Sequence, residues 1–121
     1  MSTRFRRRKM DKKDLFDKAR SKYGIDAQVQ MCIEEMSELT KELCKWFRDK
    51  GDINHISEEI ADVEIMLEQM KQFFNLQDDV ERYKTFKLGR LEERLKEDGI
   101  KVKMHKSDYG NYWIVEREDE Q

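Results

Sequence analysis

Apolar residues recur at helical spacing through most of the chain, and the pattern predicts four helices followed by a change of period. From about Asp11 to Tyr23, Leu15, Phe16, Ala19 and Tyr23 share one side of a first helix, which Gly24 is placed to stop. A second helix is expected from an Asp26 N-cap to near Arg48, with Val29, Ile33, Met36, Leu39, Thr40, Leu43 and Phe47 as its apolar stripe. Residues Asp49 to Asn54, with Gly51, read as a loop, and Asn54 or a neighbour caps a third helix ending near Asn75. The stripe of that helix is Ile56, Val63, Met66, Leu67, Met70, Phe73 and Phe74. Asp78 followed by Glu81 resembles a capping box, which opens a fourth helix from about Asp79 to Asp98, closed by Gly99.

After Gly99, Ile100, Val102 and Met104 alternate with Lys101, Lys103 and His105, then come a turn-like SDYGN and the β-branched and aromatic YWIVE. This reads as a β-hairpin, which needs the helices or another subunit to pack on, because a lone hairpin is marginal in water. Tyr112 and Trp113 are read as a lid or dimer contact ahead of a base-stacking role.

Some acids break the pattern. Glu34 to Glu38 (EEMSE) and Glu58 to Asp62 (EEIAD) each place acids three residues apart, Glu35/Glu38 and Glu59/Asp62, on one helical face. On an ideal wheel Glu59 falls inside the apolar stripe of the third helix and Asp62 on its edge beside Phe73, while Glu58 and Glu68 point elsewhere. Glu35 and Glu38 flank the stripe of the second helix near Leu39 and Trp46. With the second helix ending near Arg48, the two pairs come nearly level and four carboxylates converge. An ionised carboxylate in an apolar stripe requires a cation or a raised pKa. An all-oxygen set suits a hard cation, Mg²⁺ first, with Mn²⁺ able to substitute.

Composition sharpens the comparison with an ordinary solvated surface. The 121 residues suffice for one domain with a modest core, and 43% charged residues with no proline fit long helices with solvated outer faces. Among 27 Asp and Glu, acid pairs at helical spacing arise by chance, and Glu38/Lys41 and Glu42/Lys45 read as partners on solvated faces. Glu59 does not fit that reading. The net charge of −2 is uneven, with a basic start (Arg4, Arg6, Arg7, Arg8, Lys9) read as a flexible arm over 1–10 and an acidic end (Glu116, Glu118, Asp119, Glu120). No apolar run reaches the length of a membrane span or of a signal peptide's core, so a soluble, cytoplasmic protein is expected. Cys32 and Cys44, about 18 Å apart on one helix, cannot pair and read as reduced core residues. His55 and His105 have no metal-ligand spacing.

On the fourth helix Val80, Leu88, Leu91 and Leu95 share their side with Tyr83, Lys84, Lys87, Arg90 and Arg94. Such cations either snorkel and pair with neighbouring acids or hold phosphate oxygens, and the two roles coexist.

Glu35-x-x-Glu38 followed by Glu59-x-x-Asp62 resembles the ExxE…ExxD signature of the all-α nucleoside triphosphate pyrophosphohydrolases, the MazG-like superfamily, over roughly Tyr23 to Leu95. The resemblance implies a mainly α fold, a four-helix, MazG-like bundle over 11–99, to which this chain adds a small C-terminal β-hairpin and acidic tail over 100–121. It implies Mg²⁺-dependent cleavage of a (d)NTP between the α and β phosphates, giving the monophosphate and pyrophosphate. Glu35, Glu38, Glu59 and Asp62 become metal ligands, and Lys84, Lys87 and Arg90 contact phosphates. One of the carboxylates, or Glu34, orients or deprotonates the attacking water, so Glu34, Glu35 and Glu38 form the catalytic set. Trp46, Phe47 and Phe73 are core residues by default and a wall for the base otherwise. The expected partners are the nucleotide and further copies of the chain, as a homodimer or dimer-built tetramer, with no membrane. Nucleic acid binding through the arm, a non-catalytic helical interaction protein and a di-iron bundle are the competing readings. The last lacks its Glu-x-x-His motif.

Overall fold

The computed structural model describes the backbone of residues 11–107 and 110–117 and the side chains of 11–100. The arm expected over 1–10, the turn at 108–109, the acidic tail and the side chains of His105, Tyr112 and Trp113 lie outside the described residues. Among the described residues the chain is mainly helical, with four helices: α1 (Lys12–Tyr23), α2 (Ile25–Trp46), α3 (Ile53–Phe73) and α4 (Gln77–Glu97). It divides into two compact units, Met1–Gln77 and Asp78–Gln121.

In the first unit α2 and α3 form an antiparallel hairpin, and α1 packs against both. Gly24 turns the chain between α1 and α2 in a single residue at φ 86°, ending one helix and starting the next. Its amide bonds the Arg20 carbonyl at 2.8 Å, while its own carbonyl accepts from the Gln28 amide at 3.2 Å. Asp26 therefore sits inside the first turn of α2 and is not its cap. A left-handed Gly costs little, so the tight corner removes the short linker that the Asp26 cap would have required.

The loop between α2 and α3 is closed from both sides. Asp49, at φ 55°, lets the Lys50 amide reach back to the Lys45 carbonyl at 3.0 Å, a Schellman-type closure of α2. At the other side Asp52, not Asn54, caps α3: its Oδ1 accepts from the amides of Asn54 at 2.8 Å and His55 at 3.4 Å. Asn75, at φ 54°, closes α3 in the same way as Asp49 closes α2, with the Leu76 amide on the Lys71 carbonyl at 2.8 Å.

The core of this unit is thin. Phe16, Cys32, Val63, Met66 and Phe73 are buried, and no large side chain among the described residues is wholly enclosed. α1 is tied to α3 by Lys12 Nζ to Glu68 Oε2 at 2.7 Å and by Gln72 Nε2, which donates to Asp17 Oδ1 at 2.8 Å. Glu68, expected to be solvated, is thus half-buried in an ion pair.

α3 buries Val63, Met66 and Phe73 as its wheel requires, but Leu67 and Phe74 are exposed. α2 departs further. Its inward side carries buried Gln28, Cys32 and Glu42 with half-buried Glu35 and Leu39, whereas Ile33, Met36, Leu43 and Phe47 of the expected stripe are exposed, Phe47 by 87%. The wheel locates the most apolar side of a helix, and on α2 that side is not the one that α3 covers. Cys44, expected in the core, is exposed, and Leu15 and Tyr23 of α1 are exposed while Phe16 alone is buried.

α4, which belongs to the second unit from Asp78 onward, begins at Gln77, so Asp78 lies in its first turn and does not act as a box-type cap. Gly99, at φ 77°, follows its end, with its amide on the Lys96 carbonyl at 3.0 Å. Two backbone segments then pair antiparallel, β1 (Ile100–Ser107) with β2 (Gly110–Arg117), Val102 opposite Val115.

Candidate metal centre

The antiparallel hairpin places the acids of EEMSE opposite those of EEIAD. One carboxylate oxygen from each of Glu35, Glu59 and Asp62 lies within 4.8 Å of the others, and all three residues are half-buried. Short turns at both helix ends set this register. α2 ends at Trp46 and α3 starts at Ile53, which brings the acid pairs level.

The environment of the cluster is hostile to three negative charges. Glu59 Oε2 is shut off from solvent and has no hydrogen-bond partner among the described residues. No ion pair formed among the described residues includes Glu35, Glu59 or Asp62. Desolvation raises the Glu59 pKa above the ordinary carboxylate value, and the charges of Asp62, Glu35, Glu38 and Glu58 push it the same way. Glu35 is raised by desolvation first, then by Asp62, Glu38 and Glu34. Like charges held this close, with an oxygen hidden from water, constitute a site that a cation relieves. The donor set is all oxygen, which suits a hard divalent ion.

Of the four expected ligands, the structure brings three together. Glu38 is exposed and outside the cluster, although close enough for its charge to act on both Glu35 and Glu59. Glu34 is exposed beside Glu35. The difference between Glu35 and Glu38 follows from the orientation of α2, whose inward row runs Gln28, Cys32, Glu35, Leu39 and Glu42.

The α4 cations belong to the second unit. Lys84 Nζ pairs with Glu81 Oε1 at 3.4 Å, and the Arg90 guanidinium lies over the Phe86 ring at 6.0 Å. Lys87 is exposed. Trp46 and Phe47 are exposed, and Phe73 is a core residue.

Sequence reasoning passed over three buried polar residues: Gln28, Glu42 and Gln69. Glu42, read as half of a solvated pair, is only 8% exposed. Lys45 Nζ does bond its Oε1, at 2.9 Å, but Oε2 has no hydrogen-bond partner among the described residues and lies 4.0 Å from His55 Nδ1. The signal that finds two of these residues is their register with Glu35: Gln28 and Glu42 stand seven residues before and after it.

Among the described residues, no helix is long and apolar enough to cross a membrane. No family model matches the chain, and the searches of curated proteins and of solved structures return no match.

Proposed function

We propose that the chain is a Mg²⁺-dependent nucleoside triphosphate pyrophosphohydrolase of the all-α, MazG-like kind, with Mn²⁺ as a substitute ion. The observation that carries this reading is the convergence of Glu35, Glu59 and Asp62 with the Glu59 Oε2 atom left enclosed and unpartnered. An acidic cluster serving only as surface would keep its oxygens in water.

Glu35, Glu59 and Asp62 would hold the ion. A bound Mg²⁺ supplies positive charge against the phosphate oxygens of the nucleotide. The chain's own part is to position and to accept a proton. Water attacks the α-phosphorus, the bond from that phosphorus to the bridging oxygen breaks, and pyrophosphate leaves. The water's proton passes to Glu34 or Glu38, both exposed and free of the three-oxygen cluster. Lys84, Lys87 and Arg90 are assigned phosphate contacts from the chemistry of cations beside an apolar stripe and from the family resemblance.

Incubation with each dNTP and NTP plus Mg²⁺ is expected to release the monophosphate and pyrophosphate from at least one of them. Release of inorganic phosphate and the nucleoside diphosphate instead, or no turnover with either Mg²⁺ or Mn²⁺, contradicts the reading.

The same proposal includes self-association, which completes the bundle. Ile53, Ile60 and Leu67 along α3 and Phe74 at its C-cap recur every seven residues, and all four are exposed, Ile53 by 63%. Ile33, Met36, Leu43 and Phe47 are exposed on α2. A seven-residue apolar row is the pattern of a helix that packs along another helix. A second copy presents the same row, so the chain is expected to be a dimer or a multiple of one by light scattering, and Leu67→Lys is expected to shift it toward monomer. A monomeric wild type at tens of micromolar removes this part of the proposal.

A further inference from the structure

A cavity of about 330 Å³ lies between the end of α1 and the start of α2, lined by Ala19, Tyr23, Ala27, Gln28 and Met31. Four of its five residues offer methyl, thioether or ring surface. The fifth is anomalous. Gln28 is only 7% exposed, and none of the side-chain hydrogen bonds formed among the described residues includes its amide. Among the described residues the fully enclosed, unbonded side-chain atoms belong to Glu42, Glu59 and Gln69, so the Gln28 amide is not wholly enclosed, and Gln28 is part of the cavity's lining.

The position of this amide relative to the acids narrows what it meets. Gln28, Cys32 and Glu35 lie on one side of α2, and Glu35 follows Gln28 by about two turns, roughly 10 Å along the axis. Met31 of the cavity wall is one turn from Glu35. The separation of Gln28 from Glu35 matches the reach of a nucleotide from its phosphates across the sugar to the flat ring of its base. A side-chain amide offers a donor and an acceptor side by side, which is the complement of a nucleobase edge. Apolar walls with one fixed polar group are the usual make-up of such a pocket.

We infer that this cavity is the nucleobase subsite and that Gln28 reads the base. The inference rests on the pyrophosphohydrolase reading for the identity of the ligand, but its test does not use turnover. Phosphate-free deoxynucleosides with each of the four bases are titrated into the isotope-labelled full-length protein without metal, and the Gln28 side-chain amide resonances are followed. One base is expected to shift them saturably and to bind about tenfold more tightly than the weakest. Gln28→Leu should bring the four affinities together. Tyr23→Leu, at an exposed rim position, should weaken all of them without changing their order, and it serves should Gln28→Leu fail to fold.

No shift at Gln28 with any nucleoside overturns the inference, and so does a base preference that survives in Gln28→Leu. A shift at Gln28 in a protein that hydrolyses no nucleotide upholds the base subsite and sinks the hydrolase. Hydrolysis without a shift does the reverse.

Discussion

Glu59→Gln is expected to lower nucleotide turnover by more than about 100-fold, the upper end of what removing a group behind a metal ligand costs. The same change should raise the melting temperature of the metal-free protein. The two effects have one origin. Glu59 is held against Asp62 and Glu35 with one oxygen out of contact with water, a position that strains the apo fold and that a cation would exploit. Gln keeps the shape and removes the charge. Glu58→Gln, one residue away and exposed, should leave both measurements nearly unchanged. A fall in melting temperature in Glu59→Gln, with turnover intact, would assign this carboxylate to packing and not to metal binding.

Glu38 separates two roles that the motif alone merges. The ExxE pattern treats Glu35 and Glu38 as equivalent ligands, whereas only Glu35 joins the three-oxygen cluster. Glu38→Gln is therefore expected to retain metal-induced stabilisation and to lose turnover, the signature of a group that handles the water. Loss of both would show that Glu38 swings in as a fourth ligand.

The difference between these two acids also marks how far the sequence could be read. Glu59 was legible because an acid inside an apolar stripe is anomalous whatever its neighbours are. Glu35 and Glu38 were not separable, because both flank the stripe of α2 and their burial depends on the angle at which α3 meets that helix. α2 has apolar residues on more than one side, so the direction of greatest hydrophobicity pointed to Ile33, Met36, Leu43 and Phe47, all of which remain exposed. The burial of Glu42 was masked for a related reason: Lys45, one turn away, makes any such Glu look like a surface pair. Helix existence followed from periodicity, while the caps did not follow from residue type. Asp26, Asn54 and Asp78 are all good cap residues, yet Gly24 and Asp52 begin α2 and α3, and α4 starts one residue before Asp78. Several cap-competent residues close together leave the choice to the tertiary path of the loop.

Without metal, the contribution of the acid cluster to stability is expected to rise as the pH falls. The folded-state pKa values of Glu35 and Glu59 lie above the ordinary carboxylate value that they regain on unfolding. At a pH above the raised values both states are ionised, and the folded state alone bears the repulsion. As the pH drops through the raised values, the folded protein takes up protons that the unfolded chain does not yet bind, and stability increases. The gain is complete once the pH is below the ordinary carboxylate value. Saturating Mg²⁺ should reverse the sign. The ion favours the ionised carboxylates, so protonation expels it and the stabilisation disappears over the lower part of the pH range. At a hundredfold excess over Kd that stabilisation amounts to about 2.7 kcal/mol, or on the order of ten degrees in Tm for a unit of this size. The measurement is the melting temperature of wild type minus that of Glu59→Gln, with and without Mg²⁺, across pH 4 to 8, because subtraction removes the acid-labile ion pairs that both proteins share. The metal-free difference should become less negative toward acid pH and the Mg²⁺ difference less positive. Two curves of the same slope would mean that no ion resides among Glu35, Glu59 and Asp62.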